Sequence, residues 1–313
     1  MGAFGASDGS SNLPRATTYM PQSTEFDSLL TKYLFYLRNN GYRPTTIKGN
    51  VKILKTISKY ADLLNPESVK ACIAQKEWSG ARKRNAAYAY RHLVNMEGLS
   101  WDMPKYYGES KLPYIPLENE VDSLIASMPP ILATLTRTLK ETGARISEAV
   151  QIHWKDVDTE RNVITINNAG KNGLPRSLKV SKGLIAIMLR YGSQPRIFRG
   201  KPSTYRRRFE IYRRRVAEKN QNPRLEYISF HTFRHFFATM LYYKTKDILY
   251  VKQKLGHKNI QNTLIYTHLV DFKEEDNFTV KVAASIDEFT ALLEAGFEFV
   301  TDFEGNKICR KRK

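Results

Sequence analysis

The chain has 313 residues, with 50 Lys+Arg against 31 Asp+Glu, a formal charge of +19 and an apolar fraction of 42%. That length fits two domains with their own cores, the apolar content excludes a disordered chain, and the charge favours a polyanionic partner, since neutralising phosphates releases condensed counterions. The only cysteines, Cys72 and Cys309, exclude a disulfide framework or zinc cluster. With no apolar run near the roughly 20 residues of a membrane span and no signal peptide or myristoylation signal at the start, the chain reads as cytoplasmic.

Residues 1–22 are rich in Gly, Ser, Ala and Thr and read as a disordered leader. Phe26, Leu29, Leu30, Tyr33, Leu34 and Leu37 then recur at helical spacing and stop before Asn40-Gly41. A second helix follows Arg43-Pro44 and carries Ile47, Val51, Leu54 and Ile57 on one face. A third is predicted over 66–77 and a fourth from Ser79 to Met96, so 23–100 reads as a helical domain. Residues 101–116 hold three prolines without periodicity and read as a linker.

Residues 117–270 are expected to form a mainly α domain with a small antiparallel β-sheet. The β-rich runs Asn162–Asn167 and Ser177–Val180 flank Gly170-Lys171-Asn172-Gly173, a hairpin signal. Beyond it, 271–313 reads as a tail with a helix over 285–295. A hairpin is also expected there, pairing Phe297–Val300 with Lys307–Cys309. Residues 111–270 carry 28 basic against 12 acidic side chains and 271–313 carry 7 against 10, which marks the middle segment as the phosphate-facing surface.

Six residues suggest chemistry. Attack on a phosphodiester builds charge on the non-bridging oxygens, which planar guanidinium groups meet bidentately. Arg145, in Thr142-Gly143-Ala144-Arg145-Ile146-Ser147-Glu148, and Arg234, in His231-Thr232-Phe233-Arg234, are the candidates, each expected inside a helix. Tyr266 would be the nucleophile and His231, one helical turn from Arg234, its base. Gly256 should end a helix at Leu255 and present His257 at a turn. Lys171, at the hairpin tip, is the candidate acid, with Lys179 as the fallback. His235 forms an i,i+4 pair with His231, but Arg234 between them disfavours a metal, and His235 reads as structural. No GxxxxGK[S/T] loop is present, so a nucleotide partner has no support.

The run Tyr205–Arg215 sets two arginine triplets seven residues apart, a basic helical face suited to DNA backbone contacts through Arg206, Arg207, Arg213 and Arg214. Arg82, Lys83, Arg84 and Arg91 would supply a matching surface in the first domain. Two such domains joined by a linker suit a clamp around double-stranded DNA.

With its order and spacing, this set resembles the tyrosine recombinases, the Xer-like and phage-type integrase family, with archaeal integrases nearest. The matching elements are the arginine motif around Arg145, Lys171, His231–His235, Leu255-Gly256-His257 and Thr263–His268. The resemblance implies a helical core-binding domain plus a catalytic domain. It implies a 3′-phosphotyrosyl bond at Tyr266 and stabilisation of the phosphate by Arg145, Arg234 and His257. His231 would assist as acid/base and Lys171 would protonate the leaving group, with no cofactor and no metal. Specific recombination sites and a homotetramer spanning two DNA sites are further implications, and the tail would contact a neighbouring protomer. Integration or excision of a mobile element is the first biological expectation, and Xer-type dimer resolution the alternative. Type IB topoisomerase-like relaxation and a DNA-binding protein without turnover also stay open.

Overall fold

Four helices build the first of two units: α1 (Ser23–Asn39), α2 (Pro44–Ile57), α3 (Pro66–Gln75) and α4 (Gly80–Glu97). The computed structural model describes residues 23–109, 111–170, 173–192, 195–270, 278–303 and 305–312, so the expected leader lies outside the described residues. Local signals fix these helices. Pro44 and Pro66 sit in first turns, where no amide donor is needed. The Asn65 side chain accepts from the Ser68 amide at 3.1 Å, and Gly98 closes α4 in the left-handed region. Tyr33, Leu37, Leu54, Ile57, Ile73, Tyr90 and Leu93 form a sealed core. Its phenols are satisfied, Tyr33 donating to the Ala89 carbonyl at 2.8 Å and Tyr90 to that of Leu63 at 2.9 Å. Arg82, Arg84 and Arg91 face solvent, whereas Lys83 is half-buried and donates to the Ala74 carbonyl.

The second unit begins with α5 (Glu118–Ala126), α6 (Pro130–Thr142) and the single turn α7 (Ile146–Ala149). Helix α6 is central, which explains its polar residues. Thr134, Thr136 and Thr138 are buried and each returns its hydroxyl to the carbonyl four residues earlier at 2.8 Å. Strands β1 (Val157–Asp158), β2 (Val163–Ile166) and β3 (Arg176–Lys179) form an antiparallel sheet in that order, with Val163 opposite Lys179. The expected hairpin is therefore present, and its tip residues Lys171 and Asn172 lie outside the described residues. Strand alternation buries Ile164, Ile166 and Leu178 and seats Arg176 on the same inner face, opposite Ile166.

Helices α8 (Lys182–Leu189), α9 (Pro202–Lys219), α10 (Phe230–Thr245), α11 (Ile248–Leu255) and α12 (Gln261–Leu264) complete this core. Phe209 of α9 packs on Phe230 and Phe233 of α10 with ring centroids 4.5 and 5.9 Å apart. The C-terminal segment adds β4 (Phe278–Ala283), α13 (Ile286–Glu294), β5 (Glu298–Phe303) and β6 (Asn306–Arg312), with sheet order β4-β6-β5. The tail helix and hairpin appear where the sequence places them. Strand β4 was not expected, although Val280 and Val282 alternate in the strand pattern. No helix among the described residues is long and apolar enough to cross a membrane.

Candidate active site

One buried carboxylate organises the first half of the site. Gly143 ends α6 with φ +59°, and a Cβ there would stand 2.4 Å from the Phe237 ring, so both conformation and space require glycine. Two residues on, Arg145 is extended and caps α7 instead of lying inside a helix, a correction to the expectation. Its amide donates to Glu148 Oε2 at 2.9 Å and its Nη1 to Glu148 Oε1 at 2.8 Å. Glu148, fully buried, also accepts from Arg176 Nη2 at 2.7 Å and from the Gly170 amide at 3.0 Å. Burial pushes its pKa up, but Arg176, the Arg145 amide and the Arg145 guanidinium outweigh that and hold it below the usual value. A single anion thus fixes Arg145, Arg176 and the approach to the hairpin loop.

Arg234 lies inside α10, as expected, and is 1% exposed. Its Nη1 donates to the Gly143 carbonyl at 2.7 Å and its Nη2 to the Leu255 carbonyl at 2.6 Å, tying the ends of α6 and α11 together. Both acceptors are carbonyls that a helix end leaves unpaired. Burial, then the charges of Arg145 and Arg176, bring the Arg234 pKa down to about 9, so it remains a cation at neutral pH.

His257 follows Gly256, which caps α11 with φ +65°. A Cβ on Gly256 would come within 2.6 Å of the Leu174 carbonyl, while the Gly256 carbonyl accepts from the Leu174 amide at 3.0 Å. The turn carrying His257 is thereby locked to the loop entering β3. Its Nδ1 lies 3.0 Å from Thr263 Oγ1, which leaves Nε2 for a ligand. Burial, followed by Arg234, Arg145, Arg176 and His231, pushes its pKa down to about 4. Several positive groups converge here, and Glu148, spent on Arg145 and Arg176, is the carboxylate among them. Such a hollow suits an anion.

Tyr266 is 2% exposed, in a 3-10 turn that continues from α12, and packs with Ala238, Val251 and Leu255. Burial raises its pKa to about 12, against the opposing pull of Arg234 and Arg145. Its hydroxyl sits 3.1 Å from Nδ1 of His235, and that imidazole is pushed down to about 4 by burial, His231 and Arg234. The exposed His231 meets His235 edge-on, ring centroids 4.6 Å apart.

Arg145, His231, Arg234, His257 and Tyr266 are therefore brought into one cluster. Lys171 lies outside the described residues, and the fallback Lys179 is exposed on β3. The sequence reading missed Glu148 and Arg176, and it made His235 structural where the structure sets it on the Tyr266 hydroxyl. A carboxylate three residues after Arg145 is a capping-box signal that could have exposed Glu148. For Arg176 the signal is its place in a period-2 strand.

Beside Arg145 opens a cleft of about 250 Å³, lined by Ser147, Arg206, Arg213, Ser229 and His231. Arg206, Arg207 and Arg214 are exposed. Arg213 is half-buried, and its Nη1 donates to the Ile228 carbonyl at 2.7 Å just before α10, so part of it serves the fold. Among the described residues no three His, Cys, Asp or Glu side chains group as metal ligands.

The sequence model of the phage integrase family matches residues 117–272. The tyrosine recombinase XerH of Campylobacter jejuni is 31% identical over 157 residues, covering 46% of this chain and 41% of that protein. The probable integrase/recombinase protein MJ0367 of Methanocaldococcus jannaschii is 29% identical, covering 48% and 49%. The chain spans about half the length of these curated relatives. The tyrosine recombinase XerD of Staphylococcus saprophyticus matches at 24% identity over 78% of this chain and 94% of that one. Among solved structures, the Tn1549 transposon integrase in complex with transposon right end DNA aligns with TM-score 0.56 and 17% identity, covering 85% of this chain and 98% of that one. XerH bound to difH substrate aligns with TM-score 0.55 and 18% identity, covering 81% and 97%.

Proposed function

The chain belongs to the phage integrase family, and from that premise we propose that it is a site-specific recombinase that cleaves and rejoins double-stranded DNA through Tyr266. The Tyr266 oxygen attacks the scissile phosphorus, the bond to the 5′-oxygen breaks, and a 3′-phosphotyrosyl ester holds the strand. Arg145, Arg234 and the Nε2 of His257 meet the non-bridging oxygens as their charge grows, and the exposed His231 faces the same phosphate. Lys171 supplies the proton to the departing 5′-oxygen. The ester conserves the energy of the broken bond, so the 5′-hydroxyl of a second strand reverses the step without ATP or metal.

The observation that carries this reading is the gathering of Arg145, Arg234 and His257 around the buried Tyr266. The basic faces of α4 and α9 would grip the duplex backbone, and four protomers would bring two sites together. We read the tail, acidic where the preceding segment is basic, as a contact with a neighbouring protomer, and the role as integration or excision of a mobile element.

The test is trapping on suicide duplexes, recovered by the protein from a random-sequence pool, in EDTA. Wild type should form a covalent adduct and Tyr266→Phe none. No adduct on duplexes that wild type binds would overturn the reading, and an adduct persisting in Tyr266→Phe would overturn the nucleophile.

A further inference from the structure

Attack by Tyr266 releases a proton, and the base expected from sequence is His231. The structure puts a different group there. Nδ1 of His235 lies 3.1 Å from the Tyr266 hydroxyl, within reach for direct transfer, while the exposed His231 meets the His235 ring edge-on. We propose that His235, not His231, takes the phenol proton of Tyr266 as its oxygen bonds to phosphorus, and returns it when a 5′-hydroxyl displaces the tyrosine. This assignment rests on the recombinase reading above.

The step balances. The O–P bond forms as the phenol O–H breaks, His235 becomes an imidazolium, and the departing 5′-oxygen takes its proton from a separate acid. In the reverse step the tyrosyl oxygen leaves as phenol because the imidazolium reprotonates it. Without DNA, burial together with His231 and Arg234 keeps His235 neutral, which lets Nδ1 accept the hydroxyl proton if the ring proton is on Nε2. A phosphodiester entering the hollow brings a negative charge that offsets those cations and favours the imidazolium. The phenol need not ionise first, since the proton moves as the ester forms. Arg234, one residue before His235 on α10, ties the helix rigidly to the ends of α6 and α11, and so fixes the imidazole against the nucleophile.

The test is His235→Asn, whose side-chain oxygen still accepts a hydrogen bond but takes no proton at neutral pH. Single-turnover cleavage is measured on a duplex that wild type cleaves, and on the same duplex with sulfur replacing the 5′-bridging oxygen at the mapped bond. A sulfur leaving group needs no acid. His235→Asn should be slower by about 10²–10⁴-fold on both duplexes, with DNA binding unchanged. A more acidic fluorinated tyrosine at position 266 should recover part of the rate. Wild-type cleavage by His235→Asn would overturn the proposal, and so would rescue by sulfur, which would place His235 on the leaving-group side. His235→Gln serves if the asparagine protein does not fold. Absence of an adduct from wild type sinks the recombinase reading and this assignment with it.

Discussion

The core around α6 and α10 and the segment from β4 to β6 solve opposite problems. The first buries charge and ties it to internal partners: Arg234 and Glu148 are 1% and 3% exposed, and each has defined hydrogen bonds. The second, among its described residues, buries Ala283 and Cys309 but leaves Val280, Val282, Ile286 and Phe303 more than half exposed. A buried ion pair is weak evidence for stability but strong evidence for a fixed geometry, because breaking one half strands the other. An apolar surface left open is evidence for something outside the unit. The cationic hollow is thus preorganised by side chains of its own unit, whereas the tail leaves apolar surface open.

The largest effect should come from Glu148→Gln. It removes the anion shared by Arg145 and Arg176, and Arg176 already has Nε and Nη1 buried without partners. Unfolding in urea should show a loss of about 3–5 kcal/mol. A loss below 1 kcal/mol would mean that Glu148 does not organise the site. Next comes Arg234→Lys, which cannot reach both the Gly143 and Leu255 carbonyls. Cleavage should fall by about 10²–10³-fold with duplex binding nearly unchanged. A parallel fall in binding would instead mean that the hollow has come apart.

Burial, reinforced by the neighbouring cations, sets a pH dependence. His235 and His257 have folded pKa values lowered to about 4 from 6.5, so between those limits the unfolded chain binds more protons than the folded one. Their stabilisation is present above pH 6.5 and is lost as pH falls toward about 4. His257→Asn should flatten that slope, measured as unfolding free energy against pH from 7 to 4, by up to about one proton's worth. An unchanged slope would show that His257 is not held neutral.

Much of this was legible in sequence because the relevant physics is local. Gly143 and Gly256 announce helix ends, Pro44 and Pro66 announce helix starts, and apolar spacing gives most of the helices. Arg145, Arg234, His257 and Tyr266 are legible through their joint order and spacing, which resemble those of the tyrosine recombinases. Pairings across the fold were less legible. His235 and Tyr266 are 31 residues apart, and nothing local says that the inner edge of α10 faces the tyrosine turn and not its exposed neighbour His231. Arg176 hides in a strand whose other inward residues are apolar, and its partner is 28 residues away.

The tail offers a sharper break of the comparison. If 278–313 is not needed for the catalytic core, deleting it should shift the stability of the rest by no more than about 0.5 kcal/mol. Single-site duplex binding should survive, while assembly on two sites, followed by sedimentation, should weaken. A large loss of stability would make the tail part of the catalytic fold, and intact two-site assembly would remove the proposed protomer contact.

A finer comparison separates two arginines on the same helix. Arg206 is exposed at the cleft beside Arg145, whereas Arg213 spends Nη1 on the Ile228 carbonyl that leads into α10. Arg206→Ala should leave the melting temperature unchanged and reduce the slope of log K against log salt by about 1, as for one phosphate contact. Arg213→Ala should lower stability as well, by about 1–3 kcal/mol, because a buried carbonyl loses a charged donor. If both changed only the salt slope, the Arg213 bond would carry no weight in the fold. If both changed only stability, α9 would not be the face that meets DNA.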